Sequence, residues 1–213
     1  MGAGVFRRSL NRFLRRRIWS HDCSLCKLAI WSDPDERRAQ RLAHVRTDPF
    51  SCERCRLSIW SPGRVNDDEI LHLIITDPQS VDSRSGQLLP RAVNQIDRAG
   101  QSVLRDGASN RQFRWTYGEM KKASDARGIP RFFHGVCSFP ARVIRYDNNS
   151  RLLGVYDTAL LSRRYHADLF APPLGLSRRD KERRTELIIR KVGPNFASVA
   201  KFRGGLFLKF ARS

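Results

Sequence analysis

Apolar positions in this chain fall into short blocks, each with its own period. Over residues 5–19, Phe6, Leu10, Phe13, Leu14 and Ile18 recur at the spacing of one helical face, and Arg7, Arg8, Arg12, Arg15, Arg16 and Arg17 fill the remainder. This predicts a basic amphipathic helix within 1–20. A second short basic helix is expected over 35–46, opened by Ser32-Asp-Pro-Asp-Glu36 and carrying Arg37, Arg38, Arg41 and Arg46. Ile70–Ile75 is an apolar run of strand length, and Gln101–Arg105 is a short strand between two glycines. A helix is expected over 117–126, then strands over 132–136 and 141–146. Asp147-Asn-Asn-Ser150 should turn 143–146 into a hairpin with 152–156. Ser177-Arg-Arg-Asp180 caps a charged helix over about 178–190, with a final strand over 206–210. Short strands without regular β–α alternation indicate α+β.

One pattern is duplicated. Cys23-Ser-Leu-Cys26 and Cys52-Glu-Arg-Cys55 are each followed by Leu, Ile and Trp in the same places, at a constant offset of 29 residues from Cys23 to Trp60. Two C-x-x-C knuckles supply four thiolates, the soft tetrahedral set that Zn²⁺ prefers. Free buried thiols and disulfides are the alternatives. His21 and His44 are substitute ligands, but four thiolates already satisfy the ion. The expected organisation is a basic helix over 1–20, a zinc-ribbon-like module over 21–62, a polar linker over 61–68, and an α+β domain over 68–213 with a basic C-terminal helix.

Charge sharpens this picture. The chain of 213 residues carries 40 Lys/Arg against 21 Asp/Glu, a formal net charge of +19. Residues 1–64 hold 14 basic and 6 acidic residues, 65–168 hold 15 and 12, and 169–213 hold 11 and 3. The positive field is thus mounted on both ends of an ordinary body, a footprint of nucleic-acid binding. Candidate phosphate contacts are Arg7–Arg17, Arg37, Arg38, Arg41, Arg178, Arg179, Lys181, Arg183 and Arg184. Trp31 and Trp60 are candidates for base stacking or for core. No stretch is apolar enough to span a membrane. Cys137, the odd cysteine, reads as a small buried residue and favours a reducing compartment. The cytoplasm is therefore expected, with the mitochondrion as the alternative, since an Arg-rich, acid-poor start also fits a presequence.

Short signatures of nucleotide binding, zinc proteases and serine hydrolases are missing from the sequence. Polar clusters remain at Asp77 with Asp82, at Asp97 through Ser102 to Arg105, and at Tyr156-Asp157-Thr158 with His166-Ala167-Asp168. A histidine two residues from an acid on extended chain puts both side chains on one side. His166, Asp168 and Asp157, with His72 or His134 brought near, are therefore the candidates for a hydrolytic or metal site. Turn caps and backbone bonds are the structural alternative.

Residues 70–170 resemble a set of small uncharacterised bacterial proteins through Val81-Asp82, Leu89-Pro90-Arg91-Ala92, Ser102–Arg105 and the Tyr156–Thr158 and His166–Asp168 stretches. The resemblance implies a setting in mobile elements or antiviral systems and no particular activity. The knuckles are similar to zinc ribbons in general, which bind nucleic acid or protein. The expected function is a non-enzymatic, zinc-containing, nucleic-acid-binding accessory subunit, working with other protein subunits. The alternatives are a small enzyme of nucleic acid or nucleotides using His166, Asp168 and Asp157, and a structural subunit of an organellar ribonucleoprotein.

Overall fold

A computed structural model describes residues 43, 50, 53, 55, 61–76, 78–97, 100–129, 131–148, 150–159, 164–171 and 175–198. The expected basic helix over 1–20, the first knuckle, the strand over 206–210 and most of the helix over 35–46 lie outside them. The described residues form a mixed α+β body. Its centre is a six-stranded sheet built from β1 (Ile70–Ile75), β2 (Gln101–Arg105), β3 (Gly135–Pro140), β6 (Gly154–Asp157), β7 (His166–Phe170) and β8 (Phe196–Ser198). The order is β6-β7-β2-β1-β3-β8, and every pairing is antiparallel. A small separate hairpin joins β4 (Tyr146–Asp147) to β5 (Ser150–Arg151). The helices are α1 (Asn110–Asp125), α2 (Ala141–Arg145) and α3 (Arg178–Val192).

Strand alternation sorts the side chains onto two faces. Leu71, Leu73, Ile75, Val103, Cys137, Phe139, Val155, Ala167 and Leu169 share the main core with Val65, Val93, Ile96, Ile144 and, from α3, Ile188 and Val192. Each Val, Leu, Ile or Phe side chain among them contributes about 1.5–3 kcal/mol on burial. The opposite face carries a smaller cluster of Ile74, Leu104, Val136 and, from α1, Phe113.

Both long helices start on serine caps. Ser109 and Gln112 form a reciprocal capping box: the Ser109 hydroxyl accepts from the Gln112 N–H, and the Gln112 side chain accepts from the Ser109 N–H. Ser177 accepts from the Asp180 N–H at the head of α3. α1 thus begins seven residues before the 117 read from sequence. It ends at Asp125, and the turn that follows closes at Gly128, whose φ of +67° is a left-handed conformation that glycine adopts without strain.

Three expectations are corrected. The strands expected over 132–136 and 141–146 are replaced by β3 and the single helical turn of α2. Pro140 stands at the N-cap of that turn, which sends Ile144 into the core while burying Arg145. The hairpin expected between 143–146 and 152–156 shrinks to β4–β5, because β6 pairs with β7 instead. Residues 61–68, expected as a linker, are packed on the body. Ser61, Gly63 and Val65 are buried in alternation with exposed neighbours. Arginines from the body hold this backbone. Arg105 donates to the carbonyls of Gly63 (2.6 Å) and Arg64 (3.3 Å), and Arg145 to that of Val65 (2.6 Å).

Candidate functional site

Two buried guanidinium groups organise the polar interior. Arg105, at the end of β2, is 2% exposed. Its Nε and Nη2 donate to the two Glu69 carboxylate oxygens at 2.6 and 2.8 Å, a bidentate fork, and its Nη1 donates to Asp157 Oδ1 at 3.3 Å. Asp157 Oδ2 accepts from the Ser61 hydroxyl. Arg145, fully buried in α2, donates to Glu53 and Asp67. Glu53 also accepts from Arg151 and, at 2.7 Å, from the Val155 N–H.

The Glu53 contacts bear on the expected zinc module, because Glu53 lies between Cys52 and Cys55 in the second knuckle. Its carboxylate, 5% exposed, ties that knuckle to α2, β5 and β6, and Cys55 beside it is 4% exposed. Cys23, Cys26 and Cys52 lie outside the described residues, and no metal-holding cluster occurs among the described residues. His21 and His44 lie outside them as well. The fit of the site to zinc therefore rests on its donor set, four thiols, of which the one described is buried.

The structure splits the expected trio. His166 and Asp168 do share one face of β7, with His166 Nδ1 3.9 Å from Asp168 Oδ2. Asp157 does not join them. It pairs with Ala167, the residue between them, so its side chain emerges on the main-core face, toward Arg105. The partners of His166 and Asp168 come from neighbouring strands and their ends. Thr158 Oγ1 lies 2.7 Å from His166 Nδ1, and the Ser102 hydroxyl donates to Asp168 Oδ1 at 3.0 Å. Asp157, His166 and Asp168 are each at most 2% exposed. This is the geometry of polar groups satisfied inside a sheet.

The other candidates resolve individually. His72 is on the same face as His166 but in a different strand, with Leu104 of β2 between them. Its Nδ1 lies 2.8 Å from Ser138 Oγ, and burial lowers its pKa, partly opposed by Asp106. His134 is half-buried ahead of β3, and its Nε2 is buried with no hydrogen-bond partner among the described residues. Asp82 closes the turn that follows it, and the Arg84 N–H, followed by the Ser85 hydroxyl, holds its carboxyl below the ordinary carboxylate range. Asp77 lies outside the described residues. Cys137 is buried; its thiol donates to the Val192 carbonyl, and burial raises its pKa to about 12.

Of the candidate phosphate contacts, Arg7–Arg17, Arg37, Arg38 and Arg41 lie outside the described residues. On α3, Arg178, Arg179, Lys181 and Arg183 are exposed. Arg184 is not: it is 8% exposed and ion-paired with Asp97, because it falls on the helix face that carries Ile188 and Val192. At about 100° per residue, Arg179, Arg183 and Arg190 line up on the opposite, outer face. Arg190 was absent from the sequence-based set, although its i+7 spacing from Arg183 marks it. Arg178 is bonded to Glu182, whereas Arg179, Arg183 and Arg190 make no ion pair among the described residues. Sequence reading also missed Arg145, Glu53 and Glu69, which no local pattern distinguishes from surface charges. No helix among the described residues is long and apolar enough to cross a membrane. No protein-family model, curated protein or solved structure matches the chain.

Proposed function

We propose that this protein is a zinc-containing, strongly basic nucleic-acid-binding accessory subunit of a larger nucleoprotein assembly. The observation that carries the reading is the outer face of α3. Three arginines stand there within about three turns, exposed and without acidic partners among the described residues, on a chain of net charge +19. Exposed cations in such a chain are suited to phosphates, and the planar fork of arginine matches a phosphate's oxygens. Zn²⁺, held by Cys23, Cys26, Cys52 and Cys55, would serve as a structural ion, and the burial of Glu53 gives the second knuckle a fixed attachment to the body. A setting of that assembly in mobile elements or antiviral systems is part of the same proposal. The burial of His166 and Asp168, and the removal of Asp157 to the other face, favour a structural part for that cluster over a catalytic one.

The test is charge reversal on the stripe. Arg179→Glu, Arg183→Glu and Arg190→Glu together should weaken binding to mixed-sequence DNA and RNA at least tenfold near 0.1 M salt, with the fold unchanged by circular dichroism. Unaltered affinity would assign the stripe to an acidic protein partner.

A further inference from the structure

The segment between α1 and β3 carries a second feature of the surface, on the other side of the sheet from α3. Ile129 is 51% and Phe132 61% exposed, while the neighbouring Phe133 packs edge-on against Tyr117 of α1 at 5.8 Å. The backbone that carries Phe132 is anchored. The Phe132 N–H donates to the Thr76 carbonyl (3.2 Å) and the His134 N–H to the Ile75 carbonyl (2.8 Å), so the chain is pinned at the end of β1 on both sides of Phe133. Cations surround the ring in sequence. Lys122 and Arg127 are exposed, and Arg131 is half-buried, with one guanidinium nitrogen donating to Thr76 Oγ1. The one acid in the stretch, Asp125, is bonded to Lys121.

We infer that Phe132 is a stacking platform for a base of single-stranded nucleic acid, with Lys122, Arg127 and Arg131 meeting the adjoining phosphates. An exposed aromatic ring on an anchored stretch of chain rich in cations is the arrangement that single-strand binders use, since every base has a π-face and every link a charge. An apolar protein surface would gain from Phe132 and Ile129 but would have to desolvate the cations beside them, which makes the polyanion the better complement. The inference rests on the nucleic-acid reading above and deepens it by naming the strandedness of the target.

The two contributions separate by salt. Phosphate contacts release counterions and set the slope of affinity against salt, whereas stacking does not. Binding of labelled single-stranded DNA and RNA of about 12 nucleotides, and of the matching duplexes, should be measured over a salt series for the parent, Phe132→Ala and Phe132→Trp. Thermal melts would confirm equal folding. Phe132→Ala should weaken single-strand binding by about five- to hundredfold at every salt concentration, with the slope unchanged. It should leave duplex binding within about twofold, and Phe132→Trp should bind at least as well as the parent. If Phe132→Ala binds single strands as the parent does, or loses duplex and single strand alike, the inference is overturned and the nucleic-acid reading stands. If the parent binds no nucleic acid at all, both fall.

Discussion

Arg105→Ala is the sharpest perturbation of this fold. Arg105 gives five hydrogen bonds: two to Glu69, one to Asp157, and one each to the Gly63 and Arg64 carbonyls. Its removal takes the cation from Asp157, which is fully buried, and from Glu69, whose side chain is 14% exposed. Breaking a buried ion pair from one side costs about 3–5 kcal/mol, because the remaining charge stays out of water without its counter-charge. Against a typical domain stability of about 5–15 kcal/mol, that is a large share. With a urea m-value of about 2 kcal/mol/M, the midpoint should fall by about 2 M. Arg105→Met combined with Asp157→Asn removes both charges together, and should be less destabilised than the sum of the single changes by about 1–3 kcal/mol. Urea unfolding of the parent, Arg105→Ala, Arg105→Met, Asp157→Asn and the Arg105→Met/Asp157→Asn double variant measures both the loss and the cycle. A loss below about 1 kcal/mol for Arg105→Ala, or strict additivity, would refute the role assigned to this cluster.

Three further predictions follow from the same structure. His166→Ala and Asp168→Ala should each lower stability by about 1–3 kcal/mol by removing a buried partner, read from thermal melts; full stability with abolished function would instead make these residues catalytic. The Cys137 thiol should resist alkylation in the folded protein at pH 8. Its pKa is raised from 9.0 to about 12, so its contribution to stability is full below pH 9 and is lost as the pH rises from 9 towards 12; Cys137→Ala should remove that part of the alkaline loss. Elemental analysis should find one Zn²⁺ per chain, and a chelator should lower the melting temperature of the body as well, since Glu53 joins the second knuckle to it; metal well below one equivalent contradicts the zinc assignment.

The legible parts of the fold were those where one local signal acts alone. β1 and β2 have the bounds read from sequence, because β1 is an apolar run closed by Asp77-Pro78 and β2 lies between two glycines, and α3 starts on the serine that caps it. The start of α1 was missed although Ser109 and Gln112 carry the capping-box spacing, since the turn they open has one apolar residue, Phe113, on its buried side. α2 reads as strand from Val143 and Ile144, and tertiary packing overrides that preference. The site was harder. Arg105 and Arg145 look like two more cations in a basic chain, and their acidic partners lie 36–92 residues away in sequence. The same-side placement of His166 and Asp168 followed from period two. The face taken by Asp157 depended on its register against Ala167, which pairing decides and spacing does not.

The affinity of the intact chain for a mixed-sequence oligonucleotide across a salt series reads out how many counterions a bound polyanion releases. Affinity should fall along a straight line on log–log axes. Four phosphate contacts would give a slope of about −3.6 on duplex or about −2.8 on single strand. A slope near zero, or no binding at low salt, would contradict it and assign the basic surface to a protein partner.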